Sequence, residues 1–166
     1  MSGPDLLAAA AATPRRLGGT RERLTRETVD FLRGVPLFAG LSRRHVRRIA
    51  SQGRLVSFTP GRTIVERDVR GDSFYLILRG RAKVYRSVVP TGRAIARLEA
   101  GDYFGEMALL DGGRRTATVV SETGLTALKI PRPSFRKLLL REPAVALRML
   151  QALAARTRER EASASH

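Results

Sequence analysis

The spacing of apolar positions changes twice along this chain. From about Leu24 it is helical: Val29, Phe31 and Leu32 precede Gly34 and Pro36, which predict the helix stop. Ser42 is a good N-cap for a second helix carrying Val46, Ile49 and Ala50 on one face and arginines on the other, a flank or lid rather than an active site. Between Gly53 and Ile130 short β-like runs take over: 54–59, 63–66, 73–78, 82–87 and 94–98, then two more beyond residue 113. Gly61, Gly71, Gly80, Gly92, Gly101 and Gly124 punctuate them, a spacing that predicts a Greek-key or jelly-roll sheet. After Pro131 and Pro133 the helical interval returns in a short segment around Phe135–Leu140. A longer helix then starts at Pro143, with Val145, Leu147, Met149, Leu150 and Leu153 ahead of a charged end over 156–161. The predicted class is α+β, mainly β. The segments are an arm over 1–23, N-terminal helices over 24–52, a β-roll over 53–130 and C-terminal helices over 131–162.

Composition narrows what such a fold does. The 166 residues allow one domain with a real core, and no apolar run approaches the roughly eighteen needed for a membrane span, so a cytoplasmic chain is expected. Residues 1–23 mix an alanine run with Pro14, Gly18, Gly19 and arginines, which reads as a disordered arm rather than an export signal. Cysteine is absent, which excludes thiol catalysis, disulfides and iron–sulfur sites. The two histidines, His45 and His166, offer no metal cluster or catalytic base, and His45 among its arginines reads as a solvated helix residue. No enzyme and no cofactor are expected. The net charge of +16, nearly all arginine, would attract nucleic acid or an acidic membrane surface, or reflect a GC-rich genome.

The chemistry concentrates in Phe104–Val119, FGEMALLDGGRRTATV. Gly105 and Glu106 open a short apolar segment whose first amides attract anions. Asp111-Gly112-Gly113 turns the chain, and residues 114–120, rich in β-branched side chains, predict a strand returning an arginine beside those amides. A carboxylate followed nine positions later by an arginine fits a phosphate joined to a ribose: the guanidinium forks onto phosphate oxygens and the carboxylate accepts from a sugar hydroxyl. Strand alternation puts Arg115 on the face of Ala117 and Val119, and Arg114 at the turn edge. The bland alternative is a buried Glu–Arg pair fixing the turn, which gives little net stability for its cost.

This stretch resembles the phosphate-binding cassette of cyclic nucleotide-binding domains, as in protein kinase A regulatory subunits, cyclic-nucleotide-gated channels and the bacterial catabolite activator protein. Gly71-Asp72-Ser73-Phe74-Tyr75-Leu76, with Leu78, Gly80 and Val84, resembles a second family stretch; Gly71 and Gly80 read as structural. The resemblance covers roughly residues 30–160 and implies an eight-stranded β-roll between N- and C-terminal helices. It implies a sensor for cyclic AMP or cyclic GMP in which Glu106 and the Gly105 backbone take the ribose 2′-hydroxyl. Arg115 would take the phosphate, with the Ala108 amide and Thr116; Met107 lies in the same cassette. Thr116 resembles the cyclic-GMP-associated form, though many cyclic-AMP sites carry threonine too. The family's last helix covers the ligand and forms homodimers; Arg148, Met149, Gln151 and Ala152 are the base-lid candidates. One departure stands out: family members often place glycine in the loop before Gly71, and Glu66-Arg67-Asp68-Val69-Arg70 has none.

The chain ends at His166, which leaves no room for a helix-turn-helix, so an unidentified effector protein or a dimer change is the expected output. Three rivals stand beside the sensor: a DNA- or acidic-partner-binding regulator driven by the arginines, a jelly-roll hydrolase, and a degenerate roll that binds nothing. The missing reader helices weigh against the first, the missing base and metal ligands against the second. The joint presence of Glu106 and Arg115 weighs against the third.

Overall fold

Side chains that cap their own backbone start the first two helices. In the computed structural model, which describes residues 24–165, the Thr25 hydroxyl accepts from the Thr28 amide and opens α1 (Arg26–Arg33). Ser42 accepts from the His45 amide and opens α2 (Arg43–Ala50), as its position predicts. The arm expected over 1–23 lies outside the described residues. Both helices bury one narrow stripe, Val29 and Leu32 in α1 and Val46, Ile49 and Ala50 in α2, and the 3-10 turn Pro36–Phe38 adds Leu37 and Phe38 to the same core.

Eight strands follow in two antiparallel four-stranded sheets. They are β1 (Arg54–Phe58), β2 (Thr63–Val65), β3 (Ser73–Arg79), β4 (Ala82–Tyr85), β5 (Ala96–Leu98), β6 (Tyr103–Phe104), β7 (Thr118–Ser121) and β8 (Leu125–Pro131). One sheet runs β1-β8-β3-β6 and the other β2-β7-β4-β5. Strand β3 explains the layering. Its Phe74, Leu76 and Leu78 pack against the helices, while Tyr75 and Ile77 face the inside of the roll with Val56, Phe58, Phe104, Val119 and Ala127. A strand apolar on both faces sits between two cores, here a helical one outside the sheet and a roll interior within it.

Three further helices complete the fold: α3 (Glu106–Asp111), α4 (Arg132–Arg141) and α5 (Pro143–Ala164). Helix α4 buries Phe135 and Leu138 and stacks Phe135 on Phe74 with ring centroids 4.9 Å apart. Helix α5 runs 22 residues but buries only Val145 and Met149.

Two local expectations are corrected. The strand expected from Arg114 begins at Thr118; Arg114 makes only an isolated bridge to Arg70. The Arg115 amide donates to the Val69 carbonyl at 2.8 Å and its carbonyl accepts from the Asp68 amide at 2.9 Å, so the 66–70 loop holds this segment in place of a regular ladder. His45 is not simply solvated: its Nε2 hydrogen-bonds the Glu142 carboxylate, joining α2 to the elbow between α4 and α5.

Candidate functional site

Gly105 decides the geometry of the cassette. Its φ is +92°, a left-handed conformation that L side chains rarely adopt, and a Cβ there would lie 2.4 Å from Arg115 Nη1. The open backbone lets the guanidinium come against the chain: Arg115 Nη1 donates to the Gly105 carbonyl at 3.0 Å and Nη2 to the Ser73 carbonyl at 2.8 Å. Gly71 clears the other side, because a Cβ there would meet Ala108 Cβ at 2.7 Å and Arg115 Cζ at 3.1 Å. Arg115 is thus 5% exposed and positioned by backbone from β3 and the start of α3. Its nearest carboxylate is the largely exposed Asp72, at 3.7 Å. Burial lowers the Arg115 pKa, while Tyr75, Asp72 and Glu106 oppose that shift. Tyr75 behind it is pushed up to about 12, first by burial and then by Asp72.

Glu106 is 3% exposed, and a buried carboxylate needs a cationic or hydrogen-bonding partner. The partner is not Arg115. Arg156, far along α5, places Nη1 3.0 Å from Glu106 Oε1 and its guanidinium 5.8 Å from the centroid of the Tyr103 ring. Tyr103 in turn lies 5.5 Å from Phe74, and its hydroxyl pKa is raised by burial and by Glu106. The bland reading of a structural Glu106–Arg115 pair therefore fails; each charge has its own surroundings.

Gly105 lies against Arg115, Ala108 lies beside the Gly71 that abuts Arg115, and Glu106 follows Gly105 but pairs with Arg156. Thr116 and Met107 lie at the exposed rim, where the Thr116 hydroxyl is 4.0 Å from Met107 Sδ. The lid candidates are dispersed. Arg148 Nη1 donates to the Leu37 carbonyl at 3.1 Å, Met149 is 1% exposed in the helical core, and Gln151 faces solvent beside the partly covered Ala152. None of the four bonds a cassette side chain. The α5 residue that does is Arg156, two turns later, because the helix first anchors Val145 and Met149 and reaches Glu106 only farther on. Among the described residues, no group of three or more His, Asp or Glu side chains forms a metal site.

The profile of the cyclic nucleotide-binding domain matches residues 55–142. The chain belongs to this family. It is 36% identical over 116 residues to cGMP-dependent protein kinase isozyme 1 of Drosophila melanogaster, a match covering 68% of this chain and 15% of the kinase. It is 35% identical over 109 residues to the cAMP-dependent protein kinase regulatory subunit of Aspergillus fumigatus, covering 66% of this chain and 26% of that one. Among solved structures, the catabolite activator protein of Thermus thermophilus superposes with a TM-score of 0.72 at 31% identity, over 78% of this chain and 62% of that one. The chain therefore spans only 15% and 26% of those two curated relatives and under two thirds of the activator.

Family membership sharpens the loop departure. Where the expected glycine is missing, Asp68 takes φ +70°, the one left-handed non-glycine among the described residues. Aspartate tolerates that region better than most residues, so the loop keeps its hold on Arg115. The Asp68 carbonyl also accepts from Arg114 Nη1 at 2.7 Å, which places Arg114 outside the cassette. Sequence reading missed Asp72, the Ser73 carbonyl, Arg132 and Arg156. Arg132 Nη2 donates to the Gly71 carbonyl at 2.6 Å and lies 3.4 Å from the Ala108 carbonyl, tying α4 to the cassette. Gly71-Asp72-Ser73 was visible as a motif but its glycine read as structural; Arg156 carried no signal, since a charge run at a helix end usually faces solvent.

Proposed function

We propose that this domain is a sensor for a 3′,5′-cyclic purine nucleotide, cyclic AMP or cyclic GMP, and passes occupancy to a partner or a second copy through α5. Arg115 carries the reading. A buried arginine whose fork is aimed by two backbone carbonyls, with two of its five N–H groups so engaged, keeps the others for phosphate oxygens. The Ala108 amide and Thr116 complete the anion site. Glu106 offers Oε2 to the ribose 2′-hydroxyl while Oε1 holds Arg156, so sugar recognition and the position of the last helix share one carboxylate. Ligand then shifts α5 in proportion to its preference for one helix position.

The test is calorimetric titration with cyclic AMP, cyclic GMP and the open 5′-monophosphates. Saturable binding of a cyclic nucleotide, lost in Arg115→Ala and absent with the open forms, is expected. Binding that survives Arg115→Ala, or none with either cyclic nucleotide, overturns the reading.

A further inference from the structure

One strongly charged surface is not used by the cassette. Helices α2, RRHVRRIA, and α4, RPSFRKLLLR, carry four basic residues each and no carboxylate. Arg43 pairs with Asp30 at 2.7 Å, and Arg132 bonds the Gly71 carbonyl. The six others, Arg44, Arg47, Arg48, Arg136, Lys137 and Arg141, are exposed and in no ion pair among the described residues. Their helical spacing puts three on the solvent face of each helix, opposite the buried Val46 and Ile49 in α2 and Phe135 and Leu138 in α4. The His45–Glu142 contact joins the two helices, with Arg141 next to Glu142. Within the α4 face stands Leu140, 83% exposed, one turn from Arg136 and beside Arg141.

We propose that this α2–α4 face docks on an anionic lipid surface, the arginines forking onto lipid phosphates and Leu140 entering the headgroup layer. Charge complementarity calls for a polyanion, and the exposed Leu140 within the basic face favours one with an apolar layer beneath its charges. The concavity lined by Thr25, Phe31, Leu55 and Leu78 lies elsewhere, against α1 and the sheet. A bilayer surface is flat, accepts arginine at any lateral position and takes up the apolar side chain between headgroups.

The experiment is co-sedimentation of the full chain with vesicles of phosphatidylcholine alone and of phosphatidylcholine with phosphatidylserine. Partitioning is expected only with phosphatidylserine, and it should fall steeply as salt rises above about 0.1 M. Substituting Arg44→Gln, Arg47→Gln and Arg48→Gln together is expected to weaken it roughly a hundredfold. Leu140→Ser should weaken it a few-fold without changing the salt dependence. Neither variant should alter thermal unfolding or cyclic nucleotide affinity. A control neutralises three exposed arginines elsewhere, Arg79, Arg93 and Arg97, and is expected to retain most of the binding. Equal loss in both triple variants would reduce the effect to diffuse net charge and overturn the assigned face. So would equal binding to phosphatidylcholine alone, no partitioning at all, or binding to duplex DNA in its place.

Discussion

The cassette and the last helix meet at Glu106 and are built on opposite terms. On the cassette side, Arg115 is held by two carbonyls, two glycines clear its path, and the 66–70 loop bonds its backbone on both sides. On the helix side, α5 buries two side chains in 22 residues and reaches the site through one half-exposed arginine. Recognition groups held this tightly lose little freedom on binding, while the part of α5 beyond Met149, with no buried side chain, moves at little cost. The contrast suits a domain whose binding geometry is preformed and whose output is a change in position.

The largest expected effect divides α5 itself. A chain ending before Ala144 loses Val145 and Met149 from the helical core, and removing large core side chains costs about 2–5 kcal/mol each, so loss of cooperative unfolding is expected. A chain ending after Ala155 keeps both core anchors and loses the Arg156 contacts to Glu106 and Tyr103, so a much smaller drop in melting temperature is expected. If both truncations melt alike, the division is wrong.

Next comes Arg115→Ala, expected to weaken cyclic nucleotide binding by about 2–5 kcal/mol with the fold intact, because a buried phosphate loses its charged fork. Arg114→Ala, at the exposed bridge to the loop, should cost under about 0.5 kcal/mol. Titration of the two variants side by side separates them, and equal losses would move the phosphate site.

Gly105→Ala should destabilise the fold by about 1–3 kcal/mol and weaken binding as well, since its Cβ displaces the Arg115 guanidinium and its φ is strained. A variant with unchanged affinity would show that Arg115 need not lie against the Gly105 carbonyl.

Glu106→Gln should cost a cyclic ribonucleotide about 1–2 kcal/mol and its 2′-deoxy analogue less, because the hydroxyl is missing from the second. Equal losses would assign Glu106 to holding Arg156 alone. The smallest effect belongs to the loop. Asp68→Gly should raise stability by up to about 1 kcal/mol in a denaturant titration, since glycine adopts a positive φ without the Cβ penalty.

Much of the fold was legible because its signals are local. Ser42 caps the helix it precedes, Pro143 opens the last helix, and glycines mark the ends of strands whose apolar residues alternate between two cores. Strand β6, Tyr103–Phe104, was not legible, since two residues have no periodicity; only their pairing with Tyr75 and Leu76 makes them a strand. The irregular path from Arg114 to Ala117 also escaped, because β-branched composition there favours a ladder and the loop hydrogen bonds that replace it come from about 46 residues earlier.

The site divides in the same way. That Glu106 and Arg115 flank a glycine turn follows from order along one stretch; strand alternation also picked Arg115 over Arg114, but with no strand there Arg115 is turned inward by the 66–70 loop and by the Gly105 and Ser73 carbonyls. Which charge Glu106 meets does not follow from that stretch. Arg156 lies 50 positions away, in a charge run whose local pattern is that of a solvated helix end. Its contact exists because Val145 and Met149 anchor α5 against the helical core and the continuous helix then carries Arg156 to Glu106. A helix conveys direction over many residues, and where it leads is set by packing at its root, which a local reading of its far end does not contain.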